Sequence, residues 1–83
     1  MQLLYFAWVR ERIGLAEEQA TKPADVATVA DLLDWLRDRG ADYDAALADP
    51  RRLRVAVNQQ HADWQTPIHD SDEIAIFPPV TGG

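Results

Sequence analysis

Gly82 and Gly83 close the chain, two residues after a strand-like run stopped by two prolines, Glu73-Ile74-Ala75-Ile76-Phe77-Pro78-Pro79. A carboxyl group on a stem without Cβ atoms fits a narrow channel. Glycine also reaches backbone angles closed to other residues, so the last carbonyl can turn toward a nucleotide or a nucleophile at little steric cost. The chemistry on offer is acyl chemistry: activation of the carboxylate, then attack on it by a nucleophile. A terminal Gly-Gly alone fits an idle flexible end equally well, so the reading turns on what precedes it.

The other chemistry-bearing residues have blander explanations. His61 and His69 lie near Asp63, Asp70 and Asp72, yet they show neither zinc-site nor calcium-loop spacing, and no metal is assigned. Asp70, Ser71, Asp72 and Glu73 are explained by turn chemistry rather than acid–base catalysis. Arg51, Arg52 and Arg54 read as a solvated strand edge. Tyr5, Trp35 and Trp64 are expected in or beside the core. The chain has no cysteine, which removes disulfides, thiolate metal sites and cysteine nucleophiles together. Any sulfur chemistry here uses imported sulfur.

The elements that must carry the terminal carboxyl follow from periodicity. Gln2 to Val9 is apolar at both parities and reads as a strand covered on both faces, with Leu15 to Lys22 returning as the second arm of a hairpin ended by Pro23. Val29, Leu32, Leu33 and Leu36 then fall on one helical stripe. Thr28 with Asp31 forms a capping-box pattern, and Gly40 is expected as the C-terminal stop. Ala41 to Asp49 offers a short second helix. Leu53 to Val57 alternates as a half-buried strand, Asn58 to Gln60 turns, a short apolar piece surrounds Trp64, and Glu73 to Phe77 is the last strand, which Pro78-Pro79 cannot continue. This order predicts an α+β fold: a mixed sheet packed on one main helix, the β-grasp or ubiquitin-like arrangement, as one domain over residues 1–83 with a flexible functional tail at 79–83.

Composition narrows the partners. With 83 residues and a hydrophobic fraction of 47%, one compact core without staples is expected. A net charge of -6 repels phosphate backbones and anionic lipid, so neither nucleic acid nor membrane is an expected partner. The apolar opening is too short to span a bilayer and lacks a basic leader, which fits a cytoplasmic protein. By strand alternation Phe6 falls opposite Leu3 and Tyr5, and Phe77 opposite Ile74 and Ile76. Both are therefore expected on the sheet face that the helix leaves open, and such apolar patches commonly mark partner surfaces.

The ending from Asp72 through Phe77-Pro78-Pro79-Val80-Thr81-Gly82-Gly83 resembles that of molybdopterin synthase small subunits. The opening Phe6-Ala7-Trp8-Val9-Arg10-Glu11 leading to Gly14, and Ala56-Val57-Asn58-Gln59, are similar to that family as well. The resemblance implies a sulfur carrier without an active site or bound cofactor of its own. The Gly83 carboxylate would be adenylated by an ATP-dependent activating enzyme and converted, with sulfur from a sulfurtransferase, to a thiocarboxylate (1-thioglycine). The tail would then enter the large subunit of a heterotetrameric synthase and donate sulfur to cyclic pyranopterin monophosphate, building the dithiolene of molybdopterin. It also implies that Gly82 and Gly83 carry the chemistry, while Phe6, Phe77, Pro78, Pro79, Val80 and Thr81 meet the partner. A thiazole-pathway sulfur carrier, a ubiquitin-like protein modifier and a plain interaction domain with an idle tail remain as alternatives. The Pro-Pro-Val-Thr segment argues against the first.

Overall fold

In the computed structural model, which describes residues 1–79, the apolar opening divides into two elements. Strand β1 covers Gln2–Tyr5 and helix α1 covers Ala7–Ile13, so the expected strand through Val9 is corrected. A run that is apolar at both parities satisfies a two-sided strand and a short helix alike. What decides is Val9 and Ile13, one helical turn apart and both buried, together with Gly14 at φ 90°, whose N–H donates to the Arg10 carbonyl at 2.8 Å. Ala7 turns the corner between the two elements at φ 52°. Strand β2 (Glu17–Gln19) still returns antiparallel to β1, with Leu3 opposite Glu18. The hairpin pairing thus survives with a helix set into its connection.

Helix α2 (Val29–Arg37) buries Val29, Leu32, Leu33 and Leu36, the stripe read from the sequence. Its capping box is formed: Asp31 N–H donates to Thr28 Oγ1, and Thr28 N–H to Asp31 Oδ2, each at 3.2 Å. Backbone N–H groups of Ala27 and Thr28 hold the Asp31 carboxyl below the ordinary range. Two further N–H groups of the first turn, those of Val29 and Ala30, donate to the carbonyls of Thr66 and Trp64. Trp64 therefore stands in the turn that caps α2, not in a strand of its own. Gly40 is likewise reassigned. Helix α2 ends on Asp38 in right-handed geometry, and Gly40, extended at φ 164°, precedes helix α3 (Ala41–Leu47).

After a 3-10 turn at Pro50–Arg52, strands β3 (Arg54–Val57) and β4 (Gln60–Ala62) form a hairpin whose two turn residues, Asn58 and Gln59, both have positive φ. Strand β5 (Glu73–Phe77) enters the middle of the sheet, parallel to β1 and antiparallel to β3, in the order β2-β1-β5-β3-β4. Leu3, Tyr5, Val55, Ile74 and Ile76 face the helices and share one core with the α2 stripe, Val9 and Leu47. At about 1.5 to 3 kcal/mol per fully buried large aliphatic side chain, this shared core is the main favourable term. The architecture is the α+β, ubiquitin-like β-grasp. No helix among the described residues is long and apolar enough to cross a membrane.

Candidate functional site at the root of the tail

Being central, β5 delivers the chain to Pro78-Pro79 with a neighbouring strand on each side. Burial alternates along it: Ile74 and Ile76 are fully buried, while Glu73, Ala75 and Phe77 are only partly so. Phe77 thus points away from the core, as strand parity requires. Its ring meets the edge of the exposed His61 ring at a centroid distance of 5.7 Å and an interplanar angle of 75°. The register places Leu4, Ala75, Ala56 and His61 in one row across this open face, with Arg54 opposite Phe77. A small apolar strip therefore ends at the tail root.

Phe6 joins the strip from a different element than expected. It is 47% exposed and sits at the N-cap of α1, but its backbone is extended at φ -129° and it follows the buried Tyr5, so the alternation of β1 carries on through it. Its N–H donates to the Ile76 carbonyl at 3.2 Å, which sets its backbone beside the end of β5. The left-handed turn at Ala7 then folds α1 back beside β5.

Next to the two prolines lies a contact that sequence reading missed. The Trp8 ring is contacted by two guanidinium groups, Arg12 at 4.7 Å and Arg52 at 5.2 Å from its centroid. A groove of about 250 Å³ is lined by Trp8, Arg51, Arg52, Pro78 and Pro79. Arg51 makes a close pair with Asp49, which lowers the Asp49 carboxyl from its ordinary value. All three arginines are exposed, but the strand-edge reading is corrected: Arg51 and Arg52 lie in the Pro50–Arg52 turn, β3 with Arg54 runs between β5 and β4, and the head of Arg52 rests on an aromatic ring. No spacing in the chain signals this stack, because α1 and the Pro50–Arg52 turn meet only through the fold.

A second polar cluster also went unforeseen. Glu18, on the core-facing side of β2, accepts hydrogen bonds from Tyr43 Oη at 2.7 Å, Tyr5 Oη at 2.8 Å and Arg39 at 3.0 Å. Burial opposes its charge, but the two tyrosines and Arg39 outweigh that and leave its carboxyl below the ordinary range. Burial, and then Glu18 itself, push the Tyr5 hydroxyl well above its usual range. This cluster ties β2 to α3 and lies on the helix side, apart from the tail root.

Among the other candidates, Asp72 accepts from Asn58 Nδ2 at 2.9 Å and from the His69 N–H at 2.8 Å, and Glu73 N–H donates to Asn58 Oδ1. These bonds brace the start of β5 and confirm a turn role. Among the described residues no three histidine or acidic side chains cluster as a metal site. Tyr5 is buried, and Trp35 and Trp64 pack against the core. The expected roles of Val80, Thr81, Gly82 and Gly83 lie outside the described residues.

The ThiS family profile matches residues 3–83. The chain is 39% identical to the molybdopterin synthase sulfur carrier subunit of Escherichia coli strain K12, covering 100% of this chain and 99% of the relative. It is 37% identical to the subunit of the same name from Haemophilus influenzae, with the same coverage. Among solved structures it is similar to the small archaeal modifier protein SAMP1 of Haloferax volcanii, at 28% identity and a TM-score of 0.78, covering 100% of this chain and 98% of that one. With the profile spanning nearly its whole length, the chain belongs to the ThiS family.

Proposed function

We propose that this chain is the sulfur-carrier subunit of a molybdopterin synthase, with the carboxyl of Gly83 as its reactive group. The observation that carries the reading is full-length similarity to sulfur carrier subunits, joined to a central strand that ends at Pro78-Pro79 just before Gly-Gly. In the first step a carboxylate oxygen attacks the α-phosphorus of ATP in the activating enzyme, and pyrophosphate leaves. The acyl-adenylate supplies the leaving group that a bare carboxylate lacks. A persulfide sulfur of a sulfurtransferase then attacks the acyl carbon. A C–S bond forms, the C–O bond to AMP breaks, and a thiol reduces the resulting acyl disulfide to the thiocarboxylate. That sulfur, anionic and unhindered beside glycine, attacks a carbon of the pterin precursor in the large subunit's pocket and displaces an oxygen substituent, and water then cleaves the acyl C–S bond, which leaves the sulfur on the precursor and returns the Gly83 carboxylate. The chain needs no base of its own. Assembly with the large subunit as a heterotetramer, in the cytoplasm, belongs to the same proposal.

Intact mass of the natively expressed protein tests it: one terminal oxygen is expected to be replaced by sulfur, and the thiocarboxylated protein is expected to make molybdopterin with a large subunit and cyclic pyranopterin monophosphate. A tail found only in isopeptide bonds to other proteins would favour the modifier reading, for which the likeness to SAMP1 speaks. Self-linked chains would in that case have a single acceptor. Lys22 is the one lysine, and its ammonium group donates to the carbonyls of Pro23 and Val26.

A further inference from the structure

The cations of this acidic chain are unevenly shared. Arg37 pairs with Asp44, Arg39 with Glu18 and Arg51 with Asp49, and Lys22 is spent on backbone carbonyls. Among the described residues, Arg10, Arg12, Arg52 and Arg54 make no ion pair. All four are exposed, and all lie on α1 or in the segment from the Pro50–Arg52 turn into β3, the two pieces that border the root of the tail. A molecule of net charge -6 thus turns a positive surface toward the place where its tail begins. Arg12 and Arg52 both rest their guanidinium groups over the Trp8 ring. The ring thus gathers two like charges at one place, each attracted to its π face. The groove beside them is walled by Pro78 and Pro79, rigid residues without N–H donors.

We infer that the Arg12–Trp8–Arg52 stack and its groove form a docking site for a carboxylate-bearing segment of the partner protein, at the rim of the channel that receives the tail. The inference rests on the carrier reading for the identity of that partner, the large synthase subunit. The occupant is argued from charge and continuity: two preorganised guanidinium forks match carboxylates, and the groove runs directly into the tail root. An acidic rim docking here sets the tail in line with its channel and speeds encounter, with a strong dependence on salt.

The test uses the full chain and the large subunit from the same organism. Calorimetry from about 0.05 to 0.5 M salt compares wild type, the double variant Arg12→Glu with Arg52→Glu, and the double variant Arg12→Lys with Arg52→Lys, beside a melt of each free chain. The expected result is a loss of affinity of about tenfold or more at low salt for the glutamate variant, with a flattened salt dependence and an unchanged melt, and a smaller loss with the salt dependence kept for the lysine variant. Glutamate variants that bind with wild-type affinity and salt dependence overturn the inference and leave the carrier reading standing. A reversal that alters only self-association of the free chain, seen by sedimentation, overturns it in favour of a second copy. A wild-type chain that does not bind the large subunit overturns the carrier reading and the inference with it.

Discussion

At Gly82 a Cβ is the smallest change that separates chemistry from folding. A methyl group there narrows the fit of the stem to any channel built for glycine and removes backbone angles that the last carbonyl needs. All the buried core residues from Met1 to Ile76 precede it. Gly82→Ala is therefore expected to slow adenylation or sulfur transfer about tenfold or more while the melting temperature stays unchanged. Pyrophosphate exchange measured apart from dithiolene formation shows which partner's channel is tighter, and an unfolded variant would sink the argument. Ala7 is the converse case, a residue under local strain for the sake of position. A side chain at φ 52° costs about 1 to 2 kcal/mol relative to right-handed backbone, and glycine relieves this at an entropic cost of about 0.5 to 1 kcal/mol. Ala7→Gly is thus expected to be neutral or stabilising by up to about 1 kcal/mol, where a glycine inside α1 at Glu11 destabilises by a similar amount. Chemical denaturation of both variants checks the sign. Equal destabilisation would mean that the corner is not strained.

Among the elements, β2 is a three-residue edge strand with two of its residues exposed, and it is held to the helices by Glu18. Because the folded-state carboxyl lies below its ordinary value, the native protein binds fewer protons than the unfolded chain across the acid range. The contribution of Glu18 is accordingly complete above the usual carboxylate range and lost as pH falls through the folded value. Glu18→Gln removes the charge and, with its oxygen kept for the two tyrosine hydroxyls, turns an NH2 donor against the Arg39 guanidinium, which is expected to cost about 1 to 3 kcal/mol near neutral pH. That gap should close as the medium is made acidic, and melts of both proteins across pH would show it. A gap independent of pH would mean that the charge contributes nothing. This clasp was not legible in the sequence, since Glu17 and Glu18 look alike there and only the register with Leu3 turns one of them inward. The same limit hid α1: from Gln2 to Val9 the apolar residues serve either period, and the decision lies in Ile13 and Gly14, beyond the run. The α2 stripe, its capping box, β3 and β5 were legible because each has a single period, although the stop of α2 came at Asp38 and not at Gly40. The reading of the tail rests on the sequence alone, since the chemistry proposed for it belongs to the last residues, which lie outside the described ones.

On the scale of the whole molecule, helices cover one face of the sheet, while the other presents Phe77, with Phe6 beside the end of β5. This division predicts that binding and folding can be damaged separately. Phe77→Asp leaves Ile74 and Ile76 in the core and removes only a ring that touches His61, so the free domain is expected to stay folded. In the complex the same change withdraws a phenylalanine, whose full burial contributes about 1.5 to 3 kcal/mol, and sets a carboxylate in an apolar contact at a further desolvation cost. A loss of affinity for the large subunit of about a hundredfold is the expected sum. Phe6→Asp should weaken binding less, because Phe6 stands at the N-cap of α1 and not in the central strand that leads to the tail. The loss should also differ in kind from that at the arginine groove: removal of apolar area acts mainly on dissociation and persists at high salt, whereas reversal of the arginines acts mainly on association and fades with salt. Stopped-flow association and dissociation rates for both classes of variant, beside a melt of each free chain, separate the two. Unfolding of the free Phe77→Asp domain would place that ring in the core and remove the division of faces. Wild-type dissociation from the large subunit would place the docking surface elsewhere on the molecule.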